Sequence, residues 1–205
     1  MKIKICGLNP TRDVQTCIDL NVRFLGFVFY NKSPRNTDLK EISVLKNYNP
    51  KTSHYVSVCV NPTDTFIREN ILGNFGYIQL HGSETSERVK EIKNMGIKVI
   101  KTVKVREQKD IALYKNYENV ADLILFDSTS MENSQSIPKD LLFKLPKGGK
   151  FGLAGSINLE NILEYSQLGF DFLDLSSGLE RENLKGYKDH LKIKNFMNKI
   201  NELKN

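Results

Sequence analysis

Cys6 and Gly7 end an alternating, strand-like run at the start of the chain, in the sequence KIKICGLNP (2–10). A cysteine in this position is either a small core side chain or a reactive thiol. A reactive cysteine works as the thiolate, and because a free cysteine has a pKa of about 8.5, a nearby positive group has to lower it. Lys4 lies two residues earlier and points to the same side of a strand, although the sequence leaves open whether it acts on the thiol.

Two glycine-containing segments near the C-terminus have the composition of phosphate-binding loops. They read AGSIN (154–158) and SSGLE (176–180). Glycine lets backbone N–H groups approach a phosphate closely, and the N-terminus of a following helix adds a favourable dipole. The alternative is that these are ordinary turn glycines. The two segments are therefore candidates for a phosphate site.

The elements that must position these residues are eight short runs rich in β-branched and aromatic residues. Most of the runs are apolar at nearly every position, which is typical of strands buried on both faces of a parallel sheet. Amphipathic segments of helical length separate them. The runs cover residues 3–6, 23–29, 54–60, 75–80, 97–103, 121–126, 150–154 and 171–175.

Eight strand–helix repeats predict a single (β/α)8 TIM barrel domain over residues 1–205. The main competitor is a doubly wound open sheet, which needs a G-x-G-x-x-G turn after the first strand. The segment CGLNPT (6–11) does not supply one. In a barrel, functional residues follow the carboxyl ends of the strands, and the loops after strands 7 and 8 usually bind phosphate. Reactive or polar residues follow the carboxyl ends of most of the predicted strands: Cys6, Arg35, Asn61, His81, Asp127, Ser156 and Asp174.

Capping residues predict where several helices begin and end. The predicted starts are Asn61 followed by Pro62, Ser83, and Asn158, and the predicted stops are Gly96 and Gly169. The last segment, residues 190–203, predicts an amphipathic helix. Its expected apolar face consists of Leu191, Ile193, Phe196, Met197 and Ile200.

The cysteine content favours a reducing cytoplasm. Cys6, Cys17 and Cys59 form no C-x-x-C pair and leave one cysteine over, so neither a disulfide framework nor a zinc cluster is expected. We interpret Cys17 and Cys59 as core residues, since they fall in the middle of a predicted helix and strand.

The chain carries a net charge of +6, but its lysines are spread out and it has no tryptophan. This pattern is typical of a solvated surface and does not predict a nucleic-acid partner.

Charged Lys2 and Lys4 interrupt the first apolar residues, so no signal peptide is expected, and no apolar run is long enough to cross a membrane. We expect a monomer, because no extra exposed apolar element is visible.

Six motifs, met in order along essentially the whole chain, resemble those of the phosphoribosylanthranilate isomerases. They fall at the strand ends already singled out, and the set is highly specific although no single piece is. The motifs are KICG (4–7), GFVFYNKSPR (26–35), IQLHGSE (78–84), LILFDS (123–128), LAGSINLENI (153–162) and DLSSGLE with GYKD (174–180 and 186–189).

The resemblance implies an isomerase of tryptophan biosynthesis that needs no metal or organic cofactor. The family rearranges the small phosphorylated substrate N-(5-phosphoribosyl)anthranilate, which requires one acid and one base. Cys6 matches the family's general base, and Asp127 matches its general acid. To hold a proton near neutral pH, Asp127 needs a pKa raised by burial or by the negative charges of the substrate.

The resemblance also assigns the substrate-binding residues. Arg35 matches the residue that holds the anthranilate carboxylate, a task suited to a planar guanidinium. His81 is expected either to line the aniline side of the pocket or to be a buried histidine satisfied by backbone. Asp174 is expected to meet a sugar hydroxyl or to order the loop after strand 8. The phosphate is expected to lie against the backbone of Gly155, Ser156, Ser177 and Gly178.

One segment departs from the family pattern. The family usually carries a glycine-rich loop after the acid, whereas this chain has no glycine between Asp127 and Gly148. Such glycines allow hinge movement that other residues resist. Three outcomes therefore stay open: a differently built lid, a slower enzyme, and a phosphate-binding barrel paralogue with another substrate. A barrel that binds phosphorylated ligands without catalysis is the alternative of another class.

Overall fold

Eight parallel strands close into a barrel in the computed structural model, which describes residues 1–128 and 136–203. Each strand is hydrogen-bonded to the next along the chain, and the eighth returns to pair with the first. This confirms the predicted (β/α)8 fold. The strands are β1 (Lys2–Cys6), β2 (Phe24–Phe29), β3 (His54–Cys59), β4 (Tyr77–Leu80), β5 (Lys98–Lys104), β6 (Leu123–Asp127), β7 (Phe151–Ala154) and β8 (Phe172–Leu175).

Helices follow the strands and cover the outside of the barrel. The α-helices are α1 (Val14–Asp19), α2 (Asp64–Phe66), α3 (Ser86–Asn94), α4 (Gln108–Ile111), α5 (Lys139–Leu142), α6 (Ile162–Ser166) and α7 (His190–Glu202). Short 3₁₀ helices cover Leu39–Asn47, Ala112–Asn116 and Ser177–Leu179, and a π-helical turn covers Ile67–Ile71. Between β8 and α7, strands β9 (Glu180–Arg181) and β10 (Leu184–Lys188) form an antiparallel hairpin.

The apolar core has two parts because successive side chains of a strand point to opposite faces. The larger part lies between the strands and the helices. The smaller part fills the inside of the barrel and includes Phe24, Val58, Ile100 and Phe172. Gly152 makes room for the Phe172 ring, since a Cβ at Gly152 would overlap it.

Two of the predicted helix starts are wrong. The side chain of Thr63, and not Asn61, caps α2 by accepting a hydrogen bond from the Phe66 N–H. Thr85, and not Ser83, caps α3 in the same way. Asn61 has a left-handed backbone (φ 47°), and its side-chain oxygen accepts from the Ser83 N–H at 3.0 Å. Asn61 and Ser83 therefore join the loops after β3 and β4.

The third predicted cap, Asn158, lies three residues before the observed cap, Asn161. Helix α6 begins at Ile162, and the Asn158 side chain instead orders the turn before it by accepting from the N–H groups of Glu160 and Asn161. The predicted stops are confirmed, because Gly96 and Gly169 both have positive φ just after their helices.

Helix α7 buries most of its predicted apolar face. Ile193, Phe196, Met197 and Ile200 are buried, but Leu191 is 65% exposed. Leu191 lies in the first turn, where its N–H donates to the capping Asp189 side chain. Among the described residues, no helix is both long and apolar enough to cross a membrane.

Candidate active site

A cavity of about 110 Å³ opens at the carboxyl ends of the strands. Eight of the nine residues predicted for the site come together there, and the ninth, Gly178, is not among the lining residues. Ser33, Gln79, Ser128 and Ser176 are polar lining residues that the sequence analysis did not assign. The predicted residues that line the cavity are Cys6, Arg35, His81, Asp127, Gly155, Ser156, Asp174 and, at the edge of the last loop, Ser177.

Cys6 ends β1 and is the most accessible of the three cysteines, none of which forms a disulfide. Cys17 and Cys59 are buried core residues, as predicted, although Cys59 is the last residue of β3 and does not lie mid-strand. Burial raises the pKa of the Cys6 thiol. The charge of Lys4 is the main influence that opposes this rise, so the thiol lies in a cationic setting.

Asp127 ends β6, and two strands, β7 and β8, separate it from Cys6 around the barrel. Burial raises the pKa of the Asp127 carboxyl, although the Ser128 N–H donates to its Oδ1 at 2.7 Å and favours the charged form. Lys4 and Lys104 act in the same direction as Ser128. The net rise lets Asp127 keep its proton to a higher pH than a solvated aspartate does.

His81 lies beside Asp127, with 3.5 Å between its Nε2 and the Asp127 Oδ2. Burial, together with the charges of Lys104, Lys4 and Lys101, lowers the pKa of His81 to about 3. The imidazole is therefore neutral near pH 7, and the contact is not an ion pair. A neutral imidazole does not favour ionisation of the Asp127 carboxyl. His81 Nε2 is buried and has no hydrogen-bond partner among the described residues, so a bound ligand could pair with it.

A buried ion pair that the sequence analysis missed holds the backbone on either side of His81. Lys101 Nζ donates to the carbonyl oxygens of Leu80 (3.3 Å) and Gly82 (2.9 Å) and to Glu84 Oε2 (2.9 Å). Glu84 Oε1 in turn accepts from the Asn61 N–H at 2.8 Å. The loops after β3 and β4 are thereby fixed to β5.

Arg35 reaches the cavity from the loop after β2, but its guanidinium already has a protein partner. Its Nε and Nη2 donate to the two oxygens of Glu180 at 2.6 and 3.0 Å. Lys188 Nζ, fully buried, also donates to Glu180 Oε1 at 3.2 Å. Burial opposes ionisation of Glu180, yet Arg35 and Lys188 hold its pKa below the usual range. Glu180 ends the segment SSGLE, and Lys188 lies in GYKD. The pairing of Glu180 with Arg35 and Lys188 was not predicted.

Asp174, on β8, has one oxygen bound and one available. Its Oδ2 accepts from Lys4 Nζ at 2.8 Å. Its Oδ1 is buried and has no hydrogen-bond partner among residues 1–128 and 136–203. Burial raises the pKa of this carboxyl, and Lys4 opposes the rise. An unpaired buried acceptor is costly, so Asp174 Oδ1 is suited to a ligand hydroxyl.

The loops after β7 and β8 lie against each other at the cavity. Gly155 and Ser156 both have positive φ, and Ser177 begins a 3₁₀ turn. The turn packs so tightly that a Cβ on Gly178 would overlap the Ile157 carbonyl oxygen. Gly178 therefore allows the two loops to approach each other. This explains the glycine in the segment SSGLE, although Gly178 does not line the cavity.

Residues 129–135 of the glycine-free segment after Asp127 lie outside the described part of the chain, whereas its later residues include α5.

Comparisons with known proteins agree on one family. The family model for N-(5'-phosphoribosyl)anthranilate (PRA) isomerase matches residues 3–199. The enzyme of that name from Aquifex aeolicus is 34% identical over 209 residues, covering 96% of this chain and 97% of the relative.

Two solved structures carry the same fold. A monomeric form of the dimeric phosphoribosylanthranilate isomerase from Thermotoga maritima is 26% identical, with a TM-score of 0.81 and 96% of each chain covered. A phosphoribosylanthranilate isomerase in complex with reduced 1-(o-carboxyphenylamino)-1-deoxyribulose 5-phosphate is 28% identical, with a TM-score of 0.79 and 96% of each chain covered.

Proposed function

The chain belongs to the N-(5'-phosphoribosyl)anthranilate isomerase family, and on that premise we propose that Cys6 is the general base and Asp127 the general acid of its reaction. The reaction is an Amadori rearrangement of N-(5-phosphoribosyl)anthranilate in tryptophan biosynthesis. It needs one proton donated and one removed. The observation that carries the assignment is that a single cavity contains a strand-end thiol and a strand-end carboxyl with a raised pKa.

The first step is ring opening. Protonated Asp127 donates its proton to the furanose ring oxygen as the bond from that oxygen to C1 breaks, and the electron pair of the anilino nitrogen forms a C1=N iminium. The Cys6 thiolate then takes the proton from C2. The C2–H electron pair forms a C1=C2 double bond, and the C1=N pair returns to nitrogen. The resulting enolamine tautomerises to the ketone product.

The remaining residues are proposed to orient the substrate. Gly155, Ser156, Ser177 and Gly178 form the phosphate loops, and the unpaired Asp174 Oδ1 accepts from a sugar hydroxyl. A relative was crystallised with an analogue that carries both a phosphate and a carboxylate, which supports a site that binds both groups.

The anthranilate end is proposed to lie at Arg35 and His81. Glu180 uses two of the five N–H donors of Arg35 and fixes the plane of its guanidinium. An oriented guanidinium is able to bind a second carboxylate, which we assign to the substrate. Neutral His81 lines the aniline side.

Turnover of the substrate tests the function. The unstable substrate is generated in situ from anthranilate and phosphoribosyl pyrophosphate, and the loss of its fluorescence is followed. We expect saturable loss that depends on the protein. If the protein binds a product analogue but shows no turnover, it is a binding protein of this fold and the proposed roles of Cys6 and Asp127 are wrong.

Substitution of Gly178 by alanine tests the phosphate loops. The added methyl group meets the Ile157 carbonyl oxygen, so the two loops have to separate. Because misplacement of a binding group by about 1 Å can cost about 10²-fold, we expect kcat/KM to fall by about 10- to 100-fold, mainly through KM. The matched control is Gly76→Ala, where the nearest atom is His54 Nδ1 at 4.0 Å and KM is expected to stay unchanged. An unchanged KM in Gly178→Ala would refute the role of this loop contact.

We propose that a monomer is sufficient for catalysis, because Cys6 and Asp127 line one cavity of a single barrel. The Thermotoga maritima relative was crystallised as monomers of a dimeric enzyme. Three free cysteines also support the proposed cytoplasmic location.

A further inference from the structure

Lys4 is a fully buried lysine inside the barrel, two residues before Cys6 on β1. Lysine is almost never fully buried unless it is paired, because removing an ammonium from water is costly. No apolar residue of similar length would incur this cost. The position therefore needs an explanation beyond packing.

The ammonium of Lys4 lies between a carboxylate and the thiol. It donates to Asp174 Oδ2 at 2.8 Å, and its charge acts on the Cys6 thiol. Gly26 on the neighbouring strand leaves the required space. A Cβ on Gly26 would lie 3.1 Å from Lys4 Nζ and 3.2 Å from the Cys6 Cα.

The charged groups that face Cys6 come from four elements. Lys4 lies on β1, Asp174 on β8, Lys188 on β10 and Arg35 after β2. Lys188 and Arg35 share Glu180 as a partner, which offsets part of their charge. Among the cations, Lys4 acts most strongly on the thiol, and it opposes the effect of burial.

We infer that Lys4 is a positioning residue whose ammonium favours the thiolate form of Cys6 against the effect of burial, with Asp174 keeping that ammonium in place. The inference rests on the proposed role of Cys6 as the base. Lys4 keeps its own proton throughout: the thiolate gains the C2 proton as an S–H bond, and the ammonium stabilises the charge before that transfer.

The pH dependence of iodoacetamide alkylation at Cys6 tests this directly and needs no substrate. Cys17 and Cys59 are buried in the native protein, and burial raises the pKa of Cys59 to about 12. Peptide mass spectrometry therefore measures alkylation of Cys6 separately, with Cys17 and Cys59 as internal controls. In Lys4→Met we expect the midpoint of alkylation to rise by about one pH unit or more, since an opposite charge at this range shifts a pKa by about 1–3 units.

Lys2→Met is the matched control. Lys2 pairs with Asp171 at 2.7 Å, so it joins the same two segments of chain at the opposite end of the barrel. Its removal deletes a lysine–aspartate pair without touching Cys6, and the midpoint is expected to stay at the wild-type value. A midpoint in Lys4→Met equal to that of Lys2→Met would overturn the inference.

Lys4→Met leaves Asp174 without its partner, so a second comparison is needed in case this variant does not fold. Asp174→Asn keeps the ammonium and removes the negative charge, and its midpoint is expected below the wild-type value. The double variant Lys4→Met/Asp174→Asn has no unpaired charge, and its midpoint is expected at least one unit above that of Asp174→Asn. Equal midpoints in these two variants would overturn the inference.

The inference and the proposed function fail in different ways. If Cys6 is not the base, Cys6→Ser retains turnover while the alkylation midpoint still responds to Lys4. If Lys4 only fills a structural position, Cys6→Ser is inactive and the midpoint does not respond to Lys4→Met.

Discussion

In Cys6→Ser, kcat falls by about 10²–10⁴-fold, the usual contribution of one general acid–base group. Serine has nearly the same shape as cysteine, but its hydroxyl does not ionise in the accessible pH range, so it cannot remove the C2 proton as a charged base. Ring opening at Asp127 and substrate binding are expected to persist. The measurement is steady-state turnover of substrate generated in situ, with KM within a few-fold of the wild-type value.

Cys17→Ala is the control for the loss of a thiol. Cys17 is fully buried in α1 and does not line the cavity, so its removal is expected to affect stability and to leave kcat unchanged. Wild-type turnover in Cys6→Ser would remove Cys6 from the reaction.

In Asp127→Asn, kcat is expected to fall by a similar factor, because the amide cannot donate a proton to the ring oxygen. The pH dependence of kcat gives a second prediction. Asp127 is active in its protonated form, so wild-type kcat declines as the pH rises through the pKa of the carboxyl. Burial raises that pKa, which moves the decline above the range of a solvated aspartate. The residual rate of Asp127→Asn should lack this decline.

Asp122→Asn is the matched control, since Asp122 directly precedes the same strand at the other end of the barrel. Its carboxylate accepts from the Val99 N–H and pairs with Lys93. We expect wild-type kcat and an unchanged pH profile. A high-pH decline that survives in Asp127→Asn would assign the acid to another group.

The barrel could be predicted from sequence because its strands are buried on both faces. All eight predicted runs coincide with β1 to β8 within a few residues, since continuous apolar runs separated by polar, helix-length segments leave few alternatives. Helix starts were less predictable. Asn61 and Ser83 have the residue types of caps, but their side chains join two loops that are adjacent only after folding.

The site shows the same division between local and long-range information. Cys6 and Asp127 were recognisable because a strand end and a family motif mark each of them. Their charged surroundings were not. Lys4 and Asp174 are 170 residues apart in sequence, and Arg35 and Glu180 are 145 apart. Such pairs depend on closure of the barrel and on the β9–β10 hairpin, which no local pattern encodes.

The chemical role of Cys6 as a base is tested most directly by the ratio of kcat in Cys6→Asp to kcat in Cys6→Ser. A carboxylate at this position is another base, and the neighbouring cations Lys4, Lys188 and Arg35 favour its charge. If position 6 has to accept a proton, Cys6→Asp turns over at least about tenfold faster than Cys6→Ser and stays active to lower pH. A ratio of one, with Cys6→Ser as active as the wild type, would contradict the assignment.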